Sequence, residues 1–370
     1  MNRSWLKFQL ALLSVAIPAL LLLCAQVAFA RIPIPEGTED LQSLGTAPFI
    51  FHATIVSFDT TANEWSEEGF AILRVDRWYK GKVQGSAVRL RFTFSKIGFL
   101  DGHDCVDLHR SDSWLIFAKQ ESGDIFDFYH DCEGGLPMSP TLAAKPHGAW
   151  DQQLQQDVIA GLHDPDPAMR LANISRLGGL KLASSAAALQ DFINTGSEEE
   201  KKWAIYAALR SGDLSVLPQV ESIVINIERR QLHGSMAPVK LDAAPHPGSA
   251  YGDPDADIAI ELQRSRDRAV VPSLIRIMQS AKTEFVRYCA WSALEEISDP
   301  RSAPAAAEAL NDSSPSTRFA AIVLLWNLTK EPSCEIPNGS LPESESAPYY
   351  QRCKAWWDTT GSSIAWPAVK

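Results

Sequence analysis

Basic residues are in short supply: 34 Lys and Arg stand against 45 Asp and Glu, for a formal charge of −11. A chain this acidic does not hold nucleic acid or anionic lipid by bulk charge, because both are gripped first through Lys and Arg on phosphate. Long apolar runs are missing after residue 30, so no later segment is long and apolar enough to span a bilayer as a helix. A Gly-x-Ser-x-Gly elbow is absent, and so is a Gly-rich phosphate loop; Gly134-Gly135 and Gly178-Gly179 read as turns. Cysteine is sparse, with six in 370 residues.

The first thirty residues are there for another purpose than folding. Arg3 and Lys7 make a basic start, an apolar run follows from Leu10 to Leu23, and Ala28-Phe29-Ala30 places small residues before a cleavage point between Ala30 and Arg31. This is the pattern of a secretory signal peptide, and it predicts a periplasmic or secreted protein. The alternative is a lipoprotein anchored at Cys24, although Leu23 stands where such sites want a small residue. Cleavage removes two bases and no acid, which takes the net charge from −11 to −13. It also leaves five cysteines: Cys105, Cys132, Cys289, Cys334 and Cys353. An oxidising compartment favours pairing, and nearness in sequence suggests Cys105 with Cys132 and Cys334 with Cys353.

Residues 31–46, rich in Pro, Gly and acids, read as an extended lead-in. Five short strand candidates follow: Phe49–Phe58, Phe70–Trp78, Val88–Phe94, Trp114–Phe117 and Ile125–Tyr129. The third alternates cleanly, with Val88, Leu90, Phe92 and Phe94 on one face and Arg89, Arg91 and Thr93 on the other. Five strands with little helix between them predict a small closed or partly closed barrel.

After Pro146 the apolar period becomes helical. Five segments share one register: Arg170-Leu171-Ala172, Lys202-Trp203-Ala204, Asp255-Ala256-Asp257, Arg287-Tyr288-Cys289 and Arg318-Phe319-Ala320. Seven residues after the first member of each stands a leucine, and Leu177, Leu209, Leu262, Leu294 and Leu325 are spaced by 32, 53, 32 and 31 residues. A second signature, Asp-x-x-x-x-Pro, recurs as Asp213…Pro218, Asp267…Pro272 and Asp299…Pro304, where Asp can cap a coming helix and Pro suits its first turn. Two independent features at one period predict a solenoid of helix pairs. The long step is one period plus an insertion, residues 231–254, rich in Pro and Gly and expected to be a loop. The register puts Cys289 where other units have Ala172, Ala204 and Ala320, so it reads as a buried small hydrophobe.

These repeats resemble the short HEAT repeats of bacterial proteins. Asp164-Pro165-Asp166-Pro167-Ala168-Met169-Arg170 fits their pattern well, Thr283-Glu284-Phe285-Val286-Arg287 and Ser313–Arg318 fit acceptably, and the third unit departs by having Asp255 in place of a base. The resemblance implies binding surfaces rather than catalysis. Some relatives are lyases that attach bilin chromophores to phycobiliproteins, and the export signal sets this chain apart from them. The β-domain resembles the netrin-like, or tissue-inhibitor-of-metalloproteinases-like, OB barrel. The residues that carry this are Phe51–Ser57, Val75–Gly81, Val88-Arg89-Leu90, Cys105, Ser113–Ala118 and Asp131–Gly135. The inhibitors present an N-terminal Cys to the protease zinc; this chain would begin near Arg31 with no Cys there.

The fold class expected is therefore a multidomain β + α chain: a small OB-like β-barrel followed by an α-solenoid of HEAT-type helix pairs. Its parts are a signal peptide (1–30), the lead-in (31–46), the netrin-like OB domain (47–140), the solenoid (151–330) and a C-terminal capping segment (331–370). His103, Asp104, Cys105, His109, His130, Asp131 and Cys132 form a metal-like group, but their spacing matches no regular zinc motif and the two Cys suit a bridge in an exported domain. The acids Glu198-Glu199-Glu200 belong at a helix start, where the dipole favours them. Tyr349, Tyr350, Trp356 and Trp357 would either cap the last repeat or bind a partner, and Phe319, Val323 and Trp326 could receive them. The expected role is an exported, non-enzymatic scaffold or adaptor that binds a protein partner through the repeat surface. No cofactor, nucleic acid or membrane insertion is expected. The alternative is an inhibitor or metal-dependent enzyme based on the OB-like domain.

Overall fold

The computed structural model describes residues 41–62, 66–95, 108, 112–129, 135–227, 254–336 and 343–368. The signal segment with Cys24, Ala30 and Arg31, the pair Cys105 and Cys132, the histidines His103, His109 and His130, and the insertion up to residue 253 lie outside the described residues.

All five expected strands form, the first four extending somewhat beyond their apolar runs and the fifth one residue shorter: β1 (Phe49–Ala62), β2 (Ser66–Lys80), β3 (Ala87–Ser95), β4 (Ser113–Ser122) and β5 (Ile125–Phe128). A sixth, β6 (Gly135–Pro137), was not expected; Gly135 is strand and not turn, because it pairs with Ile116 on the free side of β4. The order is β1-β2-β3-β5-β4, and β4 also pairs with β1, so the sheet closes into a five-stranded barrel. All pairings are antiparallel except β3 with β5. The alternation read in the third strand holds: Val88, Leu90 and Phe92 are buried, while Arg89 and Arg91 pair outside with Asp124 and Glu121. Phe51, Ala53, Trp114, Ile116, Ala118 and Phe126 fill the barrel. Leu115 and Phe117, on the opposite face of β4, are equally buried, so that strand is covered on both sides. Within the supposed extended lead-in, Leu41–Leu44 makes a helical turn, α1, whose two leucines are buried and which packs against α3 of the array. Two apolar side chains next to an uncovered face outweigh the Pro/Gly character of the preceding residues.

The helical array contains α2 (Trp150–Ala160), α3 (Pro167–Gly179), α4 (Ala186–Thr195), α5 (Glu198–Arg210), α6 (Leu217–Asn226), α7 (Pro254–Arg264), α8 (Val271–Ser280), α9 (Glu284–Ile297), α10 (Ala303–Ala309), α11 (Pro315–Thr329) and α12 (Glu343–Thr359). The five register segments fall on α3, α5, α7, α9 and α11, and these pack side by side in that order. Every register leucine is buried, as is Cys289. Pro254, taken as the last insertion residue, starts α7, where its missing N–H is not needed.

The recurring polar residues have definite work. Asp213, Asp267 and Asp299 accept from the backbone N–H two residues on, at 3.0, 2.8 and 2.9 Å. They cap a single 3₁₀ turn that leads into the helix carrying the proline at its second position. The register arginines reach back six residues: Arg170 donates to the Asp164 carbonyl at 2.9 Å, Arg287 to that of Ala281 at 3.0 Å, and Arg318 to that of Asp312. Each therefore satisfies a carbonyl in the turn before its own helix. Where the third unit has Asp255, that carboxylate takes Lys202 of the preceding unit at 2.7 Å instead. The departure from the pattern is an ion pair between neighbouring repeats. Ser197 and Glu200 form a capping box at the start of α5, which accounts for the three consecutive acids there.

Candidate functional site

Among the described residues, three places concentrate polar or aromatic side chains beyond what the fold needs: the junction between barrel and array, the C-terminal cap, and the exposed side of the last repeats.

At the junction, Asp157 of α2 is fully buried. It accepts from Arg77 Nη1, from the Tyr79 hydroxyl at 2.7 Å and from the backbone N–H of Ala143 at 2.7 Å. Burial and the adjacent Asp157 charge push the Tyr79 hydroxyl far above its ordinary range, so it stays a donor. Ser139 of the connecting segment donates to Asp164 at 2.7 Å, fastening the connection to the first repeat. Beside this clamp sits His52. Register irregularities in the β1–β2 pairing fall on both sides of it, and its neighbours Phe51 and Ala53 point into the barrel. His52 therefore points outward, yet it is only 1% exposed.

His52 Nε2 lies 2.7 Å from Ser113 Oγ, and Nδ1 lies 3.3 Å from Asp76 Oδ2. Asp76 in turn accepts from Thr54 at 2.6 Å and from Arg74 at 2.9 Å. Serine, histidine and aspartate in this order are the elements of nucleophilic catalysis. The geometry serves another end. Ser113 is 4% exposed, so its hydroxyl meets no substrate, and Nδ1 is not aligned for a hydrogen bond to Asp76. Burial holds the His52 imidazole below its ordinary value, against the charges of Asp76 and Asp157. The group is a buried polar strut under the clamp. A lone histidine in an apolar strand carried no signal of this; only its outward position in the β1 alternation could have revealed it.

At the C-terminus, Cys334 and Cys353 are joined by a disulfide across 19 residues. α12 starts at Glu343, ahead of the aromatics, and carries Pro348 inside it. Tyr350 is buried, with the Arg318 guanidinium of α11 over its ring at 5.7 Å. Tyr349 is half-buried under Arg352 at 5.1 Å. Trp356 and Trp357 do otherwise: they pack on each other at 6.1 Å, Trp357 stacks on Trp366 at 5.7 Å, and the Trp366 indole donates to the Gly361 carbonyl at 2.8 Å. Gly361 has to be glycine, since a Cβ there would meet both indoles within 3.0 Å. So Tyr350 faces the last repeat, and the tryptophans are gathered by the chain's own tail.

On the array, the position after the register base holds Leu171, Trp203, Ala256, Tyr288 and Phe319. Trp203 is buried, but Tyr288 and Phe319 are 46% and 38% exposed. Two large rings at one register position on adjacent helices, both open to solvent, are more than scattered surface apolarity. The same register triplets carry these rings in the sequence, but the register alone does not tell a covered position from an open one. Cys289, next to Tyr288, is buried, and burial pushes its thiol up to about 12, which makes it inert. Arg176 of α3 is fully buried, donates to Asn173 at 2.9 Å, and is pulled down to about 9 by burial. Among the described residues no group of three or more His, Cys, Asp or Glu is placed to hold a metal, and no helix is long and apolar enough to cross a membrane.

A protein-family match falls on the later repeats of the array. The family described as HEAT repeats matches residues 252–326, which are α7 to α11. No curated protein matches the chain. Among solved structures, the complex of CpcE and CpcF of phycocyanin lyase from Nostoc sp. PCC7120 is similar at 16% identity, covering 54% of this chain and 72% of that one, with a TM-score of 0.32. The fold is thus a HEAT-like solenoid of helix pairs preceded by a closed, OB-like β-barrel, with the family match itself confined to residues 252–326.

Proposed function

We propose that this protein is an exported, non-enzymatic scaffold that holds a protein partner on the exposed side of its last repeats. The observation that carries the reading is the aligned, solvent-exposed pair Tyr288 and Phe319 on an array where Trp203 at the same register position is buried and Leu171 half-buried. Aromatic side chains in contiguous, rigid settings are the usual anchors of protein interfaces. Export is supported by the signal-like first thirty residues and by the Cys334–Cys353 disulfide, which belongs to an oxidising compartment.

A photo-crosslinking side chain placed at Tyr288, and a second one at Val56, which is 62% exposed on the barrel, test this directly. The scaffold reading expects a defined crosslinked partner through position 288 in the exported fraction. Crosslinks through position 56 alone would move the function to the barrel and favour an inhibitor.

A further inference from the structure

The first repeat carries a charge where its neighbours carry none. Six residues after the register base stand Arg176, Ala208, Ala293 and Leu324, all of them buried; the third unit, which lacks the base, has Glu261 there. The place lies on the core side of its helix, and small or apolar side chains fill it without polar partners. Arg176 of α3 fills it with a guanidinium, and the residue is only 1% exposed. Both of its contacts leave from Nη1, one to Asn173 Oδ1 at 2.9 Å and one to Met169 Sδ at 4.0 Å. Nε has no hydrogen-bond partner. Asn173 cannot turn to offer more, because its amide donates to the Gly161 carbonyl at 2.8 Å. A Cβ on Gly161 would come within 2.7 Å of both Asn173 Nδ2 and Ser139 Cβ, so α3, the turn after α2 and the connecting segment close on one another there. α1 packs on the same helix.

No carboxylate answers this charge. Asp157, the fully buried acid of the junction, is met by Arg77, Tyr79 and the backbone of Ala143. Asp164 accepts from Ser139 and from the backbone of Asp166. Among the described residues none forms an ion pair with Arg176, and burial alone acts on its ionisation, drawing it down to about 9. At neutral pH the guanidinium is therefore still charged. A buried cation without a counter-charge is among the most costly groups a fold can hold, and arginine does not escape the cost by shedding its proton as lysine can. The remedy is a negative group at the edge formed by Nε and Nη2, which presents two parallel donors. Depth sets the size of that group. So deep an edge is out of reach of a nucleotide, a phosphate ester or a partner's side chain, and one positive charge calls for one negative charge.

We propose that Arg176 is the recognition group of a buried site for a small monovalent anion, chloride above all, where the first repeat meets the segment that connects it to the barrel. The site goes beyond the scaffold reading and stands whether or not that reading holds. Thermal unfolding of the full chain at about pH 7 tests it, in mixtures of sodium chloride and sodium gluconate at one ionic strength, so that screening is constant and only the ion that fits changes. Above its dissociation constant, each tenfold rise in chloride should lift the wild-type midpoint by about 3 °C. Arg176→Met removes the charge at a position where other units carry Ala or Leu. Its midpoint should not respond to chloride, and in gluconate alone it should lie above that of the wild type. Occupancy is read directly from the chloride NMR line, which the wild type should broaden, bromide should sharpen again by competition, and Arg176→Met should leave sharp. A chloride response shared by both proteins, or a wild-type line as sharp as that of Arg176→Met, overturns the proposal. Should Arg176→Met not fold, Arg176→Lys takes its place, since it keeps the charge and loses the two-donor edge: a weakened chloride response upholds the site, and an unchanged one overturns it.

Discussion

The barrel closes on itself and the array cannot. β1 finds β2 on one side and β4 on the other, so the strands of the ring leave no edge between them. A line of repeats always leaves two end faces. Here the first is met by the barrel and its connecting segment through Asp157, and the last by α12, held by a disulfide and by Tyr350 against Arg318. Arginine shows the same difference. In the barrel Arg89 and Arg91 make exposed pairs across strands. In the array the register arginines tie each helix to the turn before it. A closed sheet can leave its charges on the surface, whereas a repeat needs a base at one fixed place, which is why it recurs in the sequence.

The comparison is most severely broken at the junction. Asp157→Ala leaves Arg77 and Tyr79 without their buried acceptor, and removing one partner of a buried pair typically costs about 3–5 kcal/mol. Chemical denaturation should show this loss, with the barrel and array transitions moving apart. In contrast, Arg89→Met on the barrel surface should leave the denaturation midpoint unchanged. A single unshifted transition in Asp157→Ala would mean that the array does not depend on the barrel for its first end.

The other end should respond next. Replacing Cys334 and Cys353 by Ser opens a loop across 19 residues, which the chain-entropy account values at about 3 kcal/mol. The loss should be confined to the cap and last repeat, seen as faster hydrogen exchange in α11 and α12. Truncation after Lys330 should add self-association through the bared end, read by sedimentation. A truncated chain that stays monomeric and melts as before would show that the last repeat needs no cover.

Within the array the expected effect is smaller. Arg287→Met gives up one donor to the Ala281 carbonyl, worth about 1 kcal/mol for a hydrogen bond of this kind. The same change at Lys202, which serves Asp255 of the next repeat, should cost more because that carboxylate is buried. Equal losses at the two positions would dissolve the distinction between ties within a repeat and ties between repeats.

The array was legible in the sequence because its information is periodic. Leucines, the Asp-x-x-x-x-Pro signature and the register base each repeat, so a misreading in one unit is corrected by the others. The strands of the barrel were legible as short apolar runs, and through alternation in Val88–Phe94. What joins the two was not. Asp157 is one acid in a helix, and Tyr79 and His52 are single polar residues in strands; nothing local distinguishes them from solvated side chains. Their partners lie 78 and 61 residues away, and only the folded chain brings them together. The short helix at Leu41–Leu44 was missed for the same reason, since its stability comes from a surface built by later residues. Tyr288 and Phe319 were visible as letters at one register position, but exposure is a property of what fails to pack on them.

His52 gives the smallest and most discriminating test of the junction. Burial keeps its imidazole below the ordinary value of 6.5, and Arg77 adds to this, while Asp76 and Asp157 oppose it. The side chain thus meets β2 through Asp76 and Arg77, β4 through Ser113, and the array through Asp157. With the folded value depressed, the unfolded chain takes up the proton first as pH falls. The stability that His52 contributes is then whole above the unfolded value and shrinks as pH drops below it toward the folded one. Urea denaturation at about pH 7 and about pH 5 should show the wild type losing more stability than His52→Gln, whose amide can keep the contact with Ser113 and does not titrate in this range. If the two proteins lose the same amount, the pH response belongs to the surrounding carboxylates, and His52 contributes to the junction by shape alone.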